Sequence, residues 1–348
     1  MEGIRYDCEF LRRIAPVLPG DFTLVDIGCS GGVDALWRTL GPCLRVVGFD
    51  PNLEEVRRLN ETESNPRIRY VSAFVGLPPD HPLVLQRGGK WYVTNNPWDR
   101  LSAAHTAARR SREIENLPHA EKTPFNTWNQ QTLADPSHSI YLPDYFAEHA
   151  FLDIDMIKLD VDGADFEILQ SLGETFDSAK VTALGMEVNY AGSDSETDHT
   201  FHNTDRYLRR HGFDLFALTV RHYSSAALPS RYLLTIPAQT ESGRPLQGDA
   251  LYIRDLCSPA NAAFAAGLSV AKILKTAGIL ASFNLADAAA EILLAFRSKL
   301  AGICAVDELL DVLALQIQES AGTKLSYRQY IAEFENDADS FYPARKRS

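Results

Sequence analysis

The stretch Leu24-Val25-Asp26-Ile27-Gly28-Cys29-Ser30-Gly31-Gly32 constrains this chain more than any other. An apolar run that ends in an acid and then in glycines reads as a buried strand released into a tight turn. A helical stretch through Trp37 and Leu40 follows. A second apolar run, Arg45-Val46-Val47-Gly48-Phe49, then ends at Asp50, about twenty residues beyond the glycines. Strand, loop, helix, strand and acid in that order open a parallel α/β sheet, whose ligand crevice lies at the carboxyl ends of the strands.

The glycine spacing argues against a dinucleotide. A pyrophosphate fingerprint would place glycine at positions 28, 30 and 33, whereas the chain has Gly28, Ser30 and Val33. Asp26 at the strand end would also repel a pyrophosphate, yet it suits an ammonium group. S-adenosylmethionine has no phosphate and carries an amino group, a sulfonium and a ribose diol. Asp26, Asp50 and the backbone of Gly28, Ser30 and Gly32 match those needs.

Composition narrows the partners. At 348 residues the chain can bury a full core, with room for a second, smaller unit. Lys+Arg 34 against Asp+Glu 46 gives a net charge of −12, which disfavours nucleic acid and anionic membranes. The five cysteines form no C-x-x-C pair, and no run approaches the length of a membrane span. Reduced thiols and a cytoplasmic setting are expected.

Residues 4–18 read as an entry helix, with Phe10, Leu11, Ile14 and Leu18 at helical spacing. After Asp50 the chain predicts a helix from Pro51 and a third strand over Ile68–Val75, which brings Ser72 and Ala73 to the same sheet edge. Residues 77–150, broken by prolines and marked by Trp91, Trp98 and Trp128, read as an insertion or lid. Within it, Leu101 to Asn116 predicts a short basic helix carrying Arg109, Arg110 and Arg112.

The second informative stretch is Ile154-Asp155-Met156-Ile157-Lys158-Leu159-Asp160-Val161-Asp162-Gly163. Side chains two apart share a strand face, so Lys158, Asp160 and Asp162 point together toward the crevice. The strand Val181–Tyr190 again ends in an acid and an amide, Glu187 and Asn189. His199 and His202 lie shortly beyond it. Phe213–Val220 and Ala250–Ile253 predict two late strands, joined without a helix, as an antiparallel hairpin at the sheet edge. From Ser258 the chain turns alanine- and leucine-rich, and residues 258–348 read as a helical appendage after a domain over 1–257. That appendage offers a face for homo-oligomerisation or for packing.

With these residues in view, the chain resembles the FkbM-like family of S-adenosylmethionine-dependent methyltransferases. The family's D-x-G-A-N-x-G corresponds to Asp26, Gly28, Cys29, Ser30 and Gly32, and its D-x-x-K-x-D-V-E-G-x-E to Asp155, Lys158, Asp160, Val161, Asp162, Gly163 and Asp165. Ser30 replaces an asparagine, and Asp162 and Asp165 replace glutamates. The resemblance covers roughly residues 20–256. It implies a class I methyltransferase fold, a Rossmann-like, mostly parallel seven-stranded sheet with one antiparallel edge strand. It also implies methyl transfer to a hydroxyl on a sugar, glycan or related small acceptor. Asp160 is then the first candidate for general base or acceptor anchor, with Lys158 beside it and His199 as a further catalytic candidate. Lys158 and Glu187 could equally pair as a salt bridge between strand ends. Asp160, Asp162, Glu187 and a histidine could bind a divalent ion, although no residue is assigned to a metal. An NAD(P)-dependent sugar oxidoreductase and a noncatalytic scaffold remain as alternatives.

Overall fold

Each apolar run that ends in an acid becomes a strand of one sheet. A computed structural model describes residues 8–78, 80–86, 139–161, 164–192, 194–223, 239–240, 243–319 and 322–341. Its strands are β1 (Phe22–Ile27), β2 (Leu44–Asp50), β3 (Ile68–Ser72), β4 (Met156–Leu159), β5 (Ala183–Asn189), β6 (Asp214–Leu218), β7 (Arg221–Tyr223), β8 (Gln239–Thr240) and β9 (Arg244–Ile253). They lie in the order β3-β2-β1-β4-β5-β9-β7-β8, and β6 also pairs with β9. β1 to β5 are parallel, whereas β9 runs antiparallel to β5, β6 and β7.

The mostly parallel α/β sheet is therefore as expected, with two differences of detail. The described residues form nine strands, because the short β7 and β8 extend the seven made by β1–β6 and β9. The antiparallel β9 is interior, since it bonds to β5 along one side and to β6 and β7 along the other. Its residues from Leu246 to Ile253 are accordingly buried. The late hairpin is present as β6 against β9.

Local chemistry sets the element ends. The entry helix covers Glu9–Ile14 and tightens into the turn Ala15–Val17, because Pro16 has no N–H to continue the ladder. β3 stops at Ser72, short of the expected Val75, because residues 74–76 change partner and bond to Ile140. The helix Leu53–Thr62 is started by Asn52, whose side chain accepts from the N–H groups of Glu54 and Glu55.

The chain divides into two compact units. One holds the described residues of Phe22–Asp34 and Leu44–Asp255. Its core is the sheet face bearing Val25, Ile27, Val47, Phe49, Ile157, Leu159, Leu184 and Met186, packed with Phe166 and Leu169 of the helix Asp165–Ser171. Each such side chain contributes about 1.5–3 kcal/mol on burial. The other unit holds those of Arg5–Asp21, Ala35–Cys43 and Leu256–Ser348. There the helix Val270–Ser282 begins at Ser269, whose hydroxyl accepts from Lys272 N–H. Gly278 lets it approach the entry helix, since a Cβ there would lie 2.8 Å from Ile14 Cδ1. Among the described residues no helix is long and apolar enough to cross a membrane.

Candidate active site

Strand register builds the site. β1 and β4 align Asp26 with Lys158, β4 and β5 align Lys158 with Gly185, and β1 and β2 align Asp26 with Gly48. In-register neighbours project from one face, so this row carries two charged side chains between two glycines, opposite the apolar core. Lys158 Nζ lies 3.3 Å from Asp26 Oδ1, 3.2 Å from the Gly28 carbonyl oxygen and 3.5 Å from Asp160 Oδ2. One ammonium thus ties the ends of β1 and β4 to the glycine loop.

The charges of the three groups follow from their surroundings. Burial alone would lower the Lys158 pKa, but Asp26 and Asp160 outweigh it and hold the ammonium well above the ordinary lysine range. Burial raises the Asp26 carboxyl, and Lys158 offsets only part of that rise. For Asp160, burial would raise the pKa, but Lys158 and Arg221 hold it below the usual carboxylate range. Asp160 is the exposed member, with 40% of its side chain accessible against 6% for Asp26.

The glycine loop is made by close approach. Gly28 has φ +84°, and a Cβ there would come within 1.8 Å of the Asp160 carbonyl oxygen. Its amides are largely spent inside the protein. Gly28 and Cys29 N–H donate to the Phe49 carbonyl, Gly31 N–H to Glu55, Gly32 N–H to the Cys29 carbonyl and Val33 N–H to the Tyr70 hydroxyl. A loop with its donors so engaged does not form the anion nest that a pyrophosphate requires.

The same loop fits a phosphate-free, ribose-bearing ligand. Asp50 Oδ1 accepts Asn52 N–H at 2.8 Å, which leaves Oδ2 without a hydrogen-bond partner among the described residues. Ser72, in register with Asp50, has a buried hydroxyl that also lacks one. Both residues end their strands, at the sheet edge where α/β folds receive ligands. Ala73 is buried beside them, with its N–H bonded to the Asp50 carbonyl, while Ser30 is exposed on the loop. Burial raises the Asp50 carboxyl, and the Asn52 N–H moderates this.

A second charged cluster, absent from the sequence reading apart from Glu187, lies on β5, β7 and β9. Arg221 donates to Glu187 Oε1 at 2.9 Å and to Asp249 Oδ2 at 2.7 Å. Gln247 Nε2 also donates to Glu187, and Asp249 N–H donates to Thr219 Oγ1 at 3.0 Å. The salt bridge considered between Lys158 and Glu187 is therefore replaced by two separate ones, since Arg221 reaches Glu187 from the far side of β9. No motif marks Arg221, Gln247 or Asp249, because their meaning depends on the partner strand.

The other named residues fall into distinct places. His199 is buried, with Nε2 3.2 Å from the Glu187 carbonyl oxygen, Nδ1 3.4 Å from Asn189 Nδ2 and Asp165 Oδ2 at 3.8 Å from Nδ1. Both ring nitrogens are thus engaged by protein, which removes the open nitrogen that a proton acceptor for substrate would need. His202 is exposed, near Thr200. Asp155 sits at the opposite end of β4, where Oδ2 accepts Thr23 N–H at 2.7 Å. Asp165 Oδ1 accepts Val161 N–H at 3.0 Å. Asp162, Trp91, Trp98, Trp128 and the arginine helix at 101–116 lie outside the described residues. Among those described, no group of three or more His, Cys, Asp or Glu residues is arranged to hold a metal ion.

Residues 29–215 match the model of the methyltransferase FkbM domain. No curated protein matches the chain. Among solved structures, precorrin-6y C5,15-methyltransferase from Geobacter metallireducens is 12% identical, covering 72% of this chain and 93% of its own, with TM-score 0.29. The N-terminal domain of EvdMO1 with S-adenosylhomocysteine bound is 10% identical, covering 72% and 82%, with TM-score 0.32. Aeropyrum pernix fibrillarin with S-adenosylmethionine is 13% identical, covering 68% of each chain, with TM-score 0.31. Likeness at these scores is too slight to bear on substrate.

Proposed function

Because the chain belongs to the FkbM family of S-adenosylmethionine-dependent methyltransferases, we propose that it methylates a hydroxyl oxygen on a sugar, glycan or related small acceptor. The observation that carries this reading is the arrangement of Asp26, Lys158 and Asp160 around the spent amides of the glycine loop.

The donor, when bound, supplies a methyl group on a sulfonium that needs no further activation. Asp50 and Ser72 would hold its ribose and base, Gly28, Ser30 and Gly32 would line it, Ala73 would pack beside it, and Asp26 would face its amino group. Because Lys158 already holds one Asp26 oxygen, only Oδ2 is left for that contact. The remaining task is to orient an acceptor oxygen and accept its proton. Asp160 is suited to that: it is ionised, accessible and fixed by Lys158. Lys158, held as an ammonium, positions Asp160 and cannot itself act as base. His199 positions the end of β5 through Glu187 and Asn189.

Incubating the protein with radiolabelled S-adenosylmethionine and fractionated cell extract tests the reading. Label on a glycan or small polyol fraction, stable to mild base, supports it. Label only on protein or nucleic acid would contradict it.

A further inference from the structure

Asn189 and Gln247 stand directly opposite each other on β5 and β9. Tyr190 N–H donates to the Leu246 carbonyl at 2.9 Å, so the Asn189–Gln247 pair occupies the adjacent non-hydrogen-bonded position. There, opposed Cα atoms approach to about 4.5 Å and side chains lie closest. Both side chains are buried, at 4% and 3% exposure.

Each residue spends its amide nitrogen within the protein. Gln247 Nε2 faces Glu187, whose carboxylate only accepts, and this fixes the orientation of the Gln247 amide. His199 Nε2 donates to the Glu187 carbonyl, and its Nδ1 lies 3.4 Å from Asn189 Nδ2, the amide nitrogen that faces it. Both orientations turn the carbonyl oxygens, Asn189 Oδ1 and Gln247 Oε1, away from these partners. Both oxygens are buried without a hydrogen-bond partner among the described residues. A lone buried acceptor is costly, and two side by side on one face call for a pair of donors.

We propose that Asn189 Oδ1 and Gln247 Oε1 form an acceptor subsite that takes two neighbouring hydroxyl groups of a polyhydroxylated ring. This deepens the methyl-transfer reading and rests on it. Depth selects the ligand. Arg221 is in register with Gln247, and its charge is taken up by ion pairs with Glu187 and Asp249. An ion placed against two neutral amide oxygens at this depth would lose its hydration, whereas neutral hydroxyls supply the two donors without that cost. They would meet the face that carries Lys158 and, one turn of the pleat further, the approach to Asp160.

Saturation-transfer NMR on the full chain loaded with S-adenosylhomocysteine, with methyl α-D-glucopyranoside and myo-inositol as probes, tests this. Cyclohexanol serves as the single-hydroxyl control. The wild type is expected to saturate at least one polyol and not cyclohexanol. Asn189→Ala and Gln247→Met, made separately, are each expected to lose about tenfold in polyol affinity while binding S-adenosylhomocysteine within about twofold of wild type. Absence of polyol saturation in the wild type, or equal saturation in both variants, overturns the subsite but leaves the methyltransferase reading standing. Failure of the wild type to bind S-adenosylhomocysteine overturns both.

Discussion

Glu187 on β5 lies directly across from Asp249 on β9, and the guanidinium of Arg221 bonds to both carboxylates. Like charges in opposed positions destabilise a sheet, so this pair persists because a cation is shared between them. All three side chains are about nine-tenths buried. Together they stiffen the end of β5 beside Asp160.

Arg221→Leu leaves the two carboxylates buried and facing each other. The expected loss is about 3–5 kcal/mol of unfolding free energy at pH 7, measured by urea denaturation. Arg221→Lys restores the charge without the two-pronged geometry and is expected to fall between the two. A loss below about 1 kcal/mol in Arg221→Leu would show that the cluster is not held in this way.

Lys158→Met removes the cation between Asp26 and Asp160. Asp26 is nearly inaccessible, so its ionisation then costs more, and a stability loss of about 2 kcal/mol is expected at pH 7.5. Protonation relieves the cost, so the deficit is expected to shrink at pH 5. Equal deficits at both values, in parallel urea titrations, would contradict the ion-pair account.

Gly28→Ala and Gly31→Ala separate backbone strain from collision. Both glycines have φ +84°, yet a Cβ at position 31 meets open space, while one at 28 would lie 1.8 Å from the Asp160 carbonyl oxygen. Gly31→Ala is expected to cost about 1 kcal/mol in thermal unfolding. Gly28→Ala is expected to cost more than about 4 kcal/mol and to abolish cofactor binding, because it displaces the backbone at Asp160.

Asp50 gives a pH signature. Burial raises its carboxyl in the native state, so that state keeps its proton to higher pH than the unfolded chain. Ionisation therefore reduces stability as pH rises from the ordinary value of about 3.9 through the raised one, and the cost persists above it. Asp50→Asn removes this cost while still accepting from Asn52 N–H. The cofactor-free variant is expected to melt above wild type at pH 7 and level with it below pH 4. It should lose at least tenfold, about 1.4 kcal/mol, in affinity for S-adenosylhomocysteine.

The parallel half of the fold was legible because its signals are local. Val25 and Ile27, Val47 and Phe49, and Ile157 and Leu159 are apolar on the buried face, and each run carries an acid at or next to its end. Asp26, Lys158 and Asp160 could therefore be placed at one edge from spacing alone. Arg221, Gln247 and Asp249 could not. β9 was read only at Ala250–Ile253, because Arg244-Pro245-Leu246-Gln247-Gly248-Asp249 is polar and carries a proline and a glycine. Gln247 and Asp249 are buried there among partners supplied by β5 and β7, a register that no single segment encodes. His199 was read as a catalytic candidate from its place shortly beyond the strand of Glu187 and Asn189, whereas its burial and its two occupied nitrogens arise from Asn189, Asp165 and the backbone of β5.

Isothermal titration of the intact chain with S-adenosylhomocysteine and, separately, with NAD tests the central claim that the spent loop amides and the acids Asp26 and Asp50 select a phosphate-free adenosyl ligand. Saturable binding of S-adenosylhomocysteine at one site per chain, weakened by Asp50→Asn and with no heat from NAD, is the predicted result. Saturable NAD binding that Asp50→Asn weakens, with no heat from S-adenosylhomocysteine, would contradict it.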